Sequence, residues 1–298
     1  MNLFDRLVSQ AIRYQADLSP LRIVVEKELL HHDILREMST AGLLSRLTLM
    51  GGTGLRACYG SSRLSEDLDF TGGQDFSRET LGDWSGVLVE KLHAKYGLEV
   101  TVSEPRRESG NVDTWKLKLI TRPENKGLPA QKINIDICAI PSHDRRPMLL
   151  RNPYGVDMGT SGLIIQAQSR EEILADKWLA LALRPNRIKN RDLWDIAWLK
   201  QQNVILPLEL IPKKLADHRR SQAKFLTQLE DRQRRLRHES GVQVDFVKEM
   251  RRFLPPEIVA NTVENPAFWI FLVDLAQLEG LRIARFLQGE SPSHIFNM

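Results

Sequence analysis

The 298 residues are 42% hydrophobic and 27% charged, with a formal net charge of +4, a balance ordinary for a globular protein and too apolar for a disordered one. The length exceeds one typical core, so two domains or one elaborated α/β domain is expected. MNLFDRLVSQ lacks the basic start and apolar run of a secretion signal, no stretch is apolar enough to span a membrane, and Cys58 and Cys138 alone make neither a disulfide framework nor a zinc site; a cytoplasmic protein without a membrane partner is predicted.

Leu21, Val24, Val25, Leu29, Ile34 and Leu35 recur at helical spacing until Ser39-Thr40-Ala41-Gly42 breaks the pattern. His31 and His32 on this helix have no cysteine or acid at ligand spacing and are expected at the surface or in a cap. Leu47 to Met50 predicts a short strand running into Gly51-Gly52. The period then changes to two. Leu68 and Phe70 alternate with Asp67 and Asp69, and Leu117 and Leu119 alternate with Lys116 and Lys118. In KINIDICAI, Ile133, Ile135, Ile137 and Ala139 share one face and leave Asn134, Asp136 and Cys138 on the other.

The Pro- and Gly-punctuated stretch from Pro141 to Gly162 separates these strands from the rest and sets the expected domains at 1–160 and 161–298. Beyond it the chain reads as helical. Ser169 and Glu172 have the form of a capping box for a helix through Ile173, Leu174, Trp178 and Leu181, which Pro185 ends. Another helix follows Asn190, and later ones are predicted at about 213–236, 243–253 and 266–288. Trp178, Trp194, Trp198 and Trp269 are expected in the core rather than stacked on bases. Segment 213–238 holds nine Lys and Arg against three Asp and Glu, which suits either a polyanion or a solvated helix face.

The chemistry lies in GGTGLRACYGSSRLSEDLDF, from Gly51 to Phe70. Paired glycines let the backbone bring its N–H groups close to a phosphate, and Thr53 adds a hydroxyl at the start of a helix. Asp67 and Asp69 on one strand face repel each other unless a cation lies between them. Asp136, on the polar face of another strand, would complete a three-carboxylate set. Oxygen-only ligands of this kind suit Mg²⁺, with Mn²⁺ as the alternative.

These residues resemble the AbiEii/AbiGii-type nucleotidyltransferase toxins of the DNA polymerase β-like superfamily. The resemblance rests on GGTGL at 51–55, RLSEDLDF at 63–70, NIDI at 134–137 and KWLALALRPNRIKNRDLWDI at 177–196, and extends roughly from Val25 to Lys200. It implies a nucleotidyltransferase fold, a mixed α/β sheet flanked by helices, followed by a mostly helical C-terminal domain. It further implies that Asp67 and Asp69 bind metal with Asp136 as the third carboxylate, that Gly51, Gly52 and Thr53 hold the triphosphate, and that Arg63 and Ser65 reach phosphates. Lys177 matches the lysine of the third motif, and Arg191, Asp192 and Asp195 match its RDxxD element. Gly54 departs from the family's usual small or branched residue and loosens the helix start.

Each assignment has a plainer counterpart. Lys177 can snorkel from a helix face, Arg191 and Asp195 stand at i,i+4 like an ordinary ion pair, and Asp192 can be a first-turn charge. By resemblance the substrate is an NTP, the acceptor an RNA such as the 3′ end of tRNA, and the cellular role that of a toxin with a cognate antitoxin. The alternatives are a small-molecule-modifying nucleotidyltransferase and a catalytically inactive module that binds nucleic acid or a partner.

Overall fold

The computed structural model describes residues 2–105, 110–124, 129–185 and 187–290. They form two compact units, Met1–Gln168 and Ser169–Met298. No helix among the described residues is long and apolar enough to cross a membrane.

The first unit opens with α1 (Leu3–Tyr14), whose N-cap Asn2 accepts from the Asp5 N–H at 2.8 Å, and α2 (Arg22–Thr40). β1 (Thr48–Met50) runs directly into α3 (Gly51–Tyr59), and β2 (Leu68–Thr71) follows. After α4 (Trp84–Tyr96) come β3 (Val100–Ser103), β4 (Val112–Leu119), β5 (Gln131–Cys138), β6 (Arg145–Leu149) and β7 (Ile164–Gln168). The strands make one mixed sheet in the order β3-β4-β5-β2-β1-β7-β6. β2 runs antiparallel to β1 and parallel to β5. This is the expected mixed sheet flanked by helices.

The period-two pattern has the expected consequence. Leu68, Phe70, Trp115, Leu117, Leu119, Ile133, Ile135 and Ile137 are all buried, with α2 packed on β5 and α4 on β3. The alternate residues face the other way: Lys116, Lys118, Lys132 and Asn134 are exposed, and Asp69 and Asp136 are half-buried. β6 lies inside the stretch expected to act as a separator. It is an edge strand with mostly exposed residues, so no apolar alternation marks it.

α2 corrects a second expectation. His31 and His32 are buried at 4% and 5% exposure, together with Glu26, Glu28 and Asp33. A helix can bury such residues because each is met. His31 Nε2 lies 3.1 Å from the Glu66 carbonyl, and since a carbonyl only accepts, that nitrogen carries the proton. His32 Nδ1 lies 2.8 Å from Thr160 Oγ1, and Glu26 Oε2 accepts from Gln131 at 2.6 Å.

The second unit is helical: α5 (Arg170–Leu183), α6 (Asn190–Gln201), α7 (Leu210–Asp217), α8 (Gln222–His238), α9 (Ser240–Met250), the single turn α10 (Pro256–Ile258) and α11 (Pro266–Leu287). Ser169 caps α5 as its sequence predicts, accepting from the Glu172 N–H at 3.1 Å. Trp178 and Trp194 are buried in the core and Trp198 and Trp269 are half-buried. The helix expected at 213–236 is two helices, broken where Arg219 takes φ +53° and Ser221 caps α8. Two of the nine cations of 213–238 are interior. Lys214 is sealed between Glu172 at 2.5 Å and Asp176 at 2.9 Å, and buried Arg232 donates to the Arg184 carbonyl at 2.8 Å.

Candidate active site

Asp69 lies in β2 directly opposite Asp136 in β5, and opposite Met50 in β1 on its other side. Asp136 in turn is opposite Thr114 in β4. One row of residues thus crosses four strands on the open sheet face, with two carboxylates at its centre. Asp67 lies one step before β2 and uses Oδ1 to accept the Asn134 N–H at 3.0 Å. Among the described residues no set of three or more His, Cys, Asp or Glu side chains is grouped so as to hold a metal ion. The three carboxylates therefore share a face without closing into a cage.

α3 begins beside this row. Gly51 has φ +67°, a left-handed conformation that only glycine takes cheaply, and a Cβ there would lie 2.9 Å from Asp69 Oδ2. A Cβ on Gly52 would lie 2.2 Å from Arg63 Nη2. Both positions must be bare for the backbone to pass so close to those side chains. Met50, the residue before α3, makes no side-chain cap bond, and a helix start is where backbone N–H groups can meet an anion.

Thr53, Arg63 and Ser65, expected to reach phosphates, are buried at 2%, 3% and 5% exposure. The Thr53 hydroxyl donates to the Asp67 carbonyl and lies 2.7 Å from Ser65 Oγ. Arg63 Nη1 donates to the Leu64 carbonyl at 2.9 Å. These side chains tie the turn at 61–67 to α3.

Sequence reasoning missed the support beneath that turn. Glu28 of α2 accepts the Ser65 N–H on Oε1 at 2.7 Å, and on Oε2 it accepts from Arg56 at 3.1 Å and from the Tyr154 hydroxyl. Arg56 also donates to the Ser61 carbonyl at 2.9 Å, and Lys27 pairs with Glu66 at 2.9 Å. Burial opposes the Arg56 charge, but Glu28 and Tyr154 outweigh it and raise its pKa. The signal available was a run of polar residues on a stripe otherwise expected to be apolar.

In the second unit, Lys177 Nζ lies 2.7 Å from Asp192 and 2.8 Å from Asp195. Burial works against the Asp192 charge, yet Lys177, Lys189 and Arg184 together keep its pKa below the usual carboxylate value. Arg191 pairs with Glu249 at 3.3 Å and stacks 4.5 Å over Phe253. Asn186, within the motif from Lys177 to Ile196, lies outside the described residues.

The model of the family described as nucleotidyl transferase AbiEii toxin, type IV TA system, matches residues 33–272. The chain belongs to the AbiEii nucleotidyltransferase toxin family. The matched span contains every candidate residue from Gly51 to Asp195, and the family places the chain among the toxins of type IV toxin–antitoxin systems. No curated protein matches the chain. Among solved structures, JHP933 from Helicobacter pylori is 18% identical at a TM-score of 0.48, over 88% of this chain and 96% of that one. A candidate nucleotidyltransferase from H. pylori is 18% identical at 0.45, over 87% and 98%.

Proposed function

We propose that this AbiEii-family protein transfers a nucleotidyl group from an NTP to the terminal hydroxyl of an RNA, the 3′ end of tRNA being the expected acceptor, and acts as the toxin opposed by a cognate antitoxin. The observation that carries the reading is the direct opposition of Asp69 and Asp136 beside the bare Gly51-Gly52 turn. Adjacent carboxylates repel each other and so favour a cation between them.

The residues fit Mg²⁺. Their donors are all oxygen, and Mg²⁺ uses one or two carboxylates and completes its shell with water and substrate phosphates, so a closed protein cage is not required. Asp69 and Asp136 would hold it, with Asp67 beside them; when bound it supplies charge neutralisation for an in-line displacement. The Gly51-Gly52 backbone would take the triphosphate at the start of α3. An acceptor oxygen bonds to the α-phosphorus as the bond to pyrophosphate breaks, and the hydroxyl proton leaves by way of the carboxylate row. The seven cations of 213–238 other than Lys214 and Arg232 are a second surface offered to RNA.

The test is incubation of the purified protein with total RNA and each labelled NTP, with Mg²⁺, Mn²⁺ or EDTA. Label entering RNA with a divalent ion present is expected. Transfer to small hydroxyl compounds instead would favour the small-molecule alternative, and no transfer at all the inactive binding module.

A further inference from the structure

The open sheet face carries more than the carboxylate row. Lys116 of β4 is opposite Asn134 of β5, and Lys118 is directly opposite Lys132. β3 extends the face with Ser103 opposite Lys116 and Thr101 opposite Lys118. All of these residues are exposed. Because side chains alternate, they lie on the same face as Asp136, and at ~3.4 Å of rise per residue the Lys116 level is about 7 Å and the Lys118–Lys132 level about 14 Å from it along the strands.

Two facts need explaining. Like charges directly opposite across an antiparallel pair destabilise a sheet, yet Lys118 and Lys132 are so placed. The sign of the face also reverses within a few residues, from the Asp69–Asp136 pair to three lysines. A polyanion with a reactive end accounts for both.

From this juxtaposition we infer that Lys116, Lys118 and Lys132 form the track for the sugar–phosphate backbone of the acceptor nucleic acid, with its terminal hydroxyl at Asp69 and Asp136. The inference rests on the proposed transfer to RNA and adds where that RNA lies. Lysines on a strand face contact phosphates without reading bases, so the track positions an end and leaves sequence choice to other contacts.

Binding of fluorescently labelled bulk tRNA to the full chain, followed by anisotropy across a salt series, tests it. Lys116→Gln/Lys118→Gln/Lys132→Gln is expected to bind at least about tenfold more weakly at low salt, with the slope of log K against log salt shallower by about 2–3. Lys116→Arg/Lys118→Arg/Lys132→Arg keeps the charge and should keep both affinity and slope, which separates charge from folding. Lys91→Gln, an exposed lysine of α4, should change neither. A Gln variant with wild-type slope overturns the track while leaving transfer to RNA standing. A wild-type protein with no salt-dependent tRNA binding overturns both. If the Gln variant keeps its tRNA affinity but loses affinity for a poly-Glu peptide, the face docks protein and the inference fails.

Discussion

Asp69 and Asp136 are directly paired residues on adjacent parallel strands, so the site brings two like charges together by strand register alone. Asp69→Asn removes one charge without changing shape. Transfer should fall by at least about 100-fold, since lost charge stabilisation is worth several kcal/mol, while the melting temperature holds or rises as repulsion is relieved. Turnover near wild type in Mg²⁺ would remove Asp69 from the chemistry.

Gly51→Ala tests the close approach of backbone and carboxylate. The left-handed φ costs about 1–2 kcal/mol for alanine, and the added Cβ pushes on Asp69 Oδ2 at 2.9 Å. A folded protein with a modestly lower melting temperature and a clear loss of kcat is expected. Thermal melts and single-turnover rates measured together decide it.

Glu28 is predicted to support the site from beneath. Glu28→Ala leaves half-buried Arg56 without its carboxylate and the Ser65 N–H without its acceptor. Uncompensated buried charge costs about 3–5 kcal/mol, or roughly 10 °C in Tm. Glu28→Gln keeps an acceptor for Ser65 and should lose less. Equal stability of the two variants would contradict the geometry.

His32 sets a pH dependence. Burial lowers its pKa from 6.5 to about 4, with His31 acting in the same direction and Glu28 and Asp33 opposing. The folded protein therefore binds this proton less readily than the unfolded chain. The stability linked to it is complete above the unfolded value and is lost as pH falls from about 6.5 towards 4, by roughly 3 kcal/mol. Denaturant melts of His32→Gln should lose that slope; an unchanged slope would assign it to other groups.

Lys177→Met distinguishes two roles for a residue carried over by resemblance. Asp192 and Asp195, at 1% and 0% exposure, lose their shared cation, so a stability loss of about 3–5 kcal/mol is expected. A variant that melts like wild type but needs more NTP would show that the lysine serves substrate instead.

Much of this was legible along the chain because the signals are local. KINIDICAI displays its two faces residue by residue, the Ser169 cap is three residues from its partner, and the glycines mark where β1 turns into α3. What was not legible depends on distant pairing. Nothing near His31 names Glu66 as its acceptor, and Lys214 reads as a surface charge until α5 brings Glu172 and Asp176 to it. The four-residue break around Arg219, between Asp217 and Gln222, likewise hides inside a helical pattern. The candidate site divides in the same way: its bare glycines and alternating carboxylates are local, and its support from Glu28 is not.

The order of the strands bears on when the candidate site is assembled. β2 emerges early in synthesis, but its parallel neighbour β5 is made only after α4, β3 and β4, and β1 waits longer still for β7. Parallel pairing across such distances forms late and slowly, because chain closure comes before the contacts that reward it. A nascent or truncated chain ending before Asp136 has half of the carboxylate pair and no partner strand to align it. An unfinished copy therefore holds only part of the candidate site.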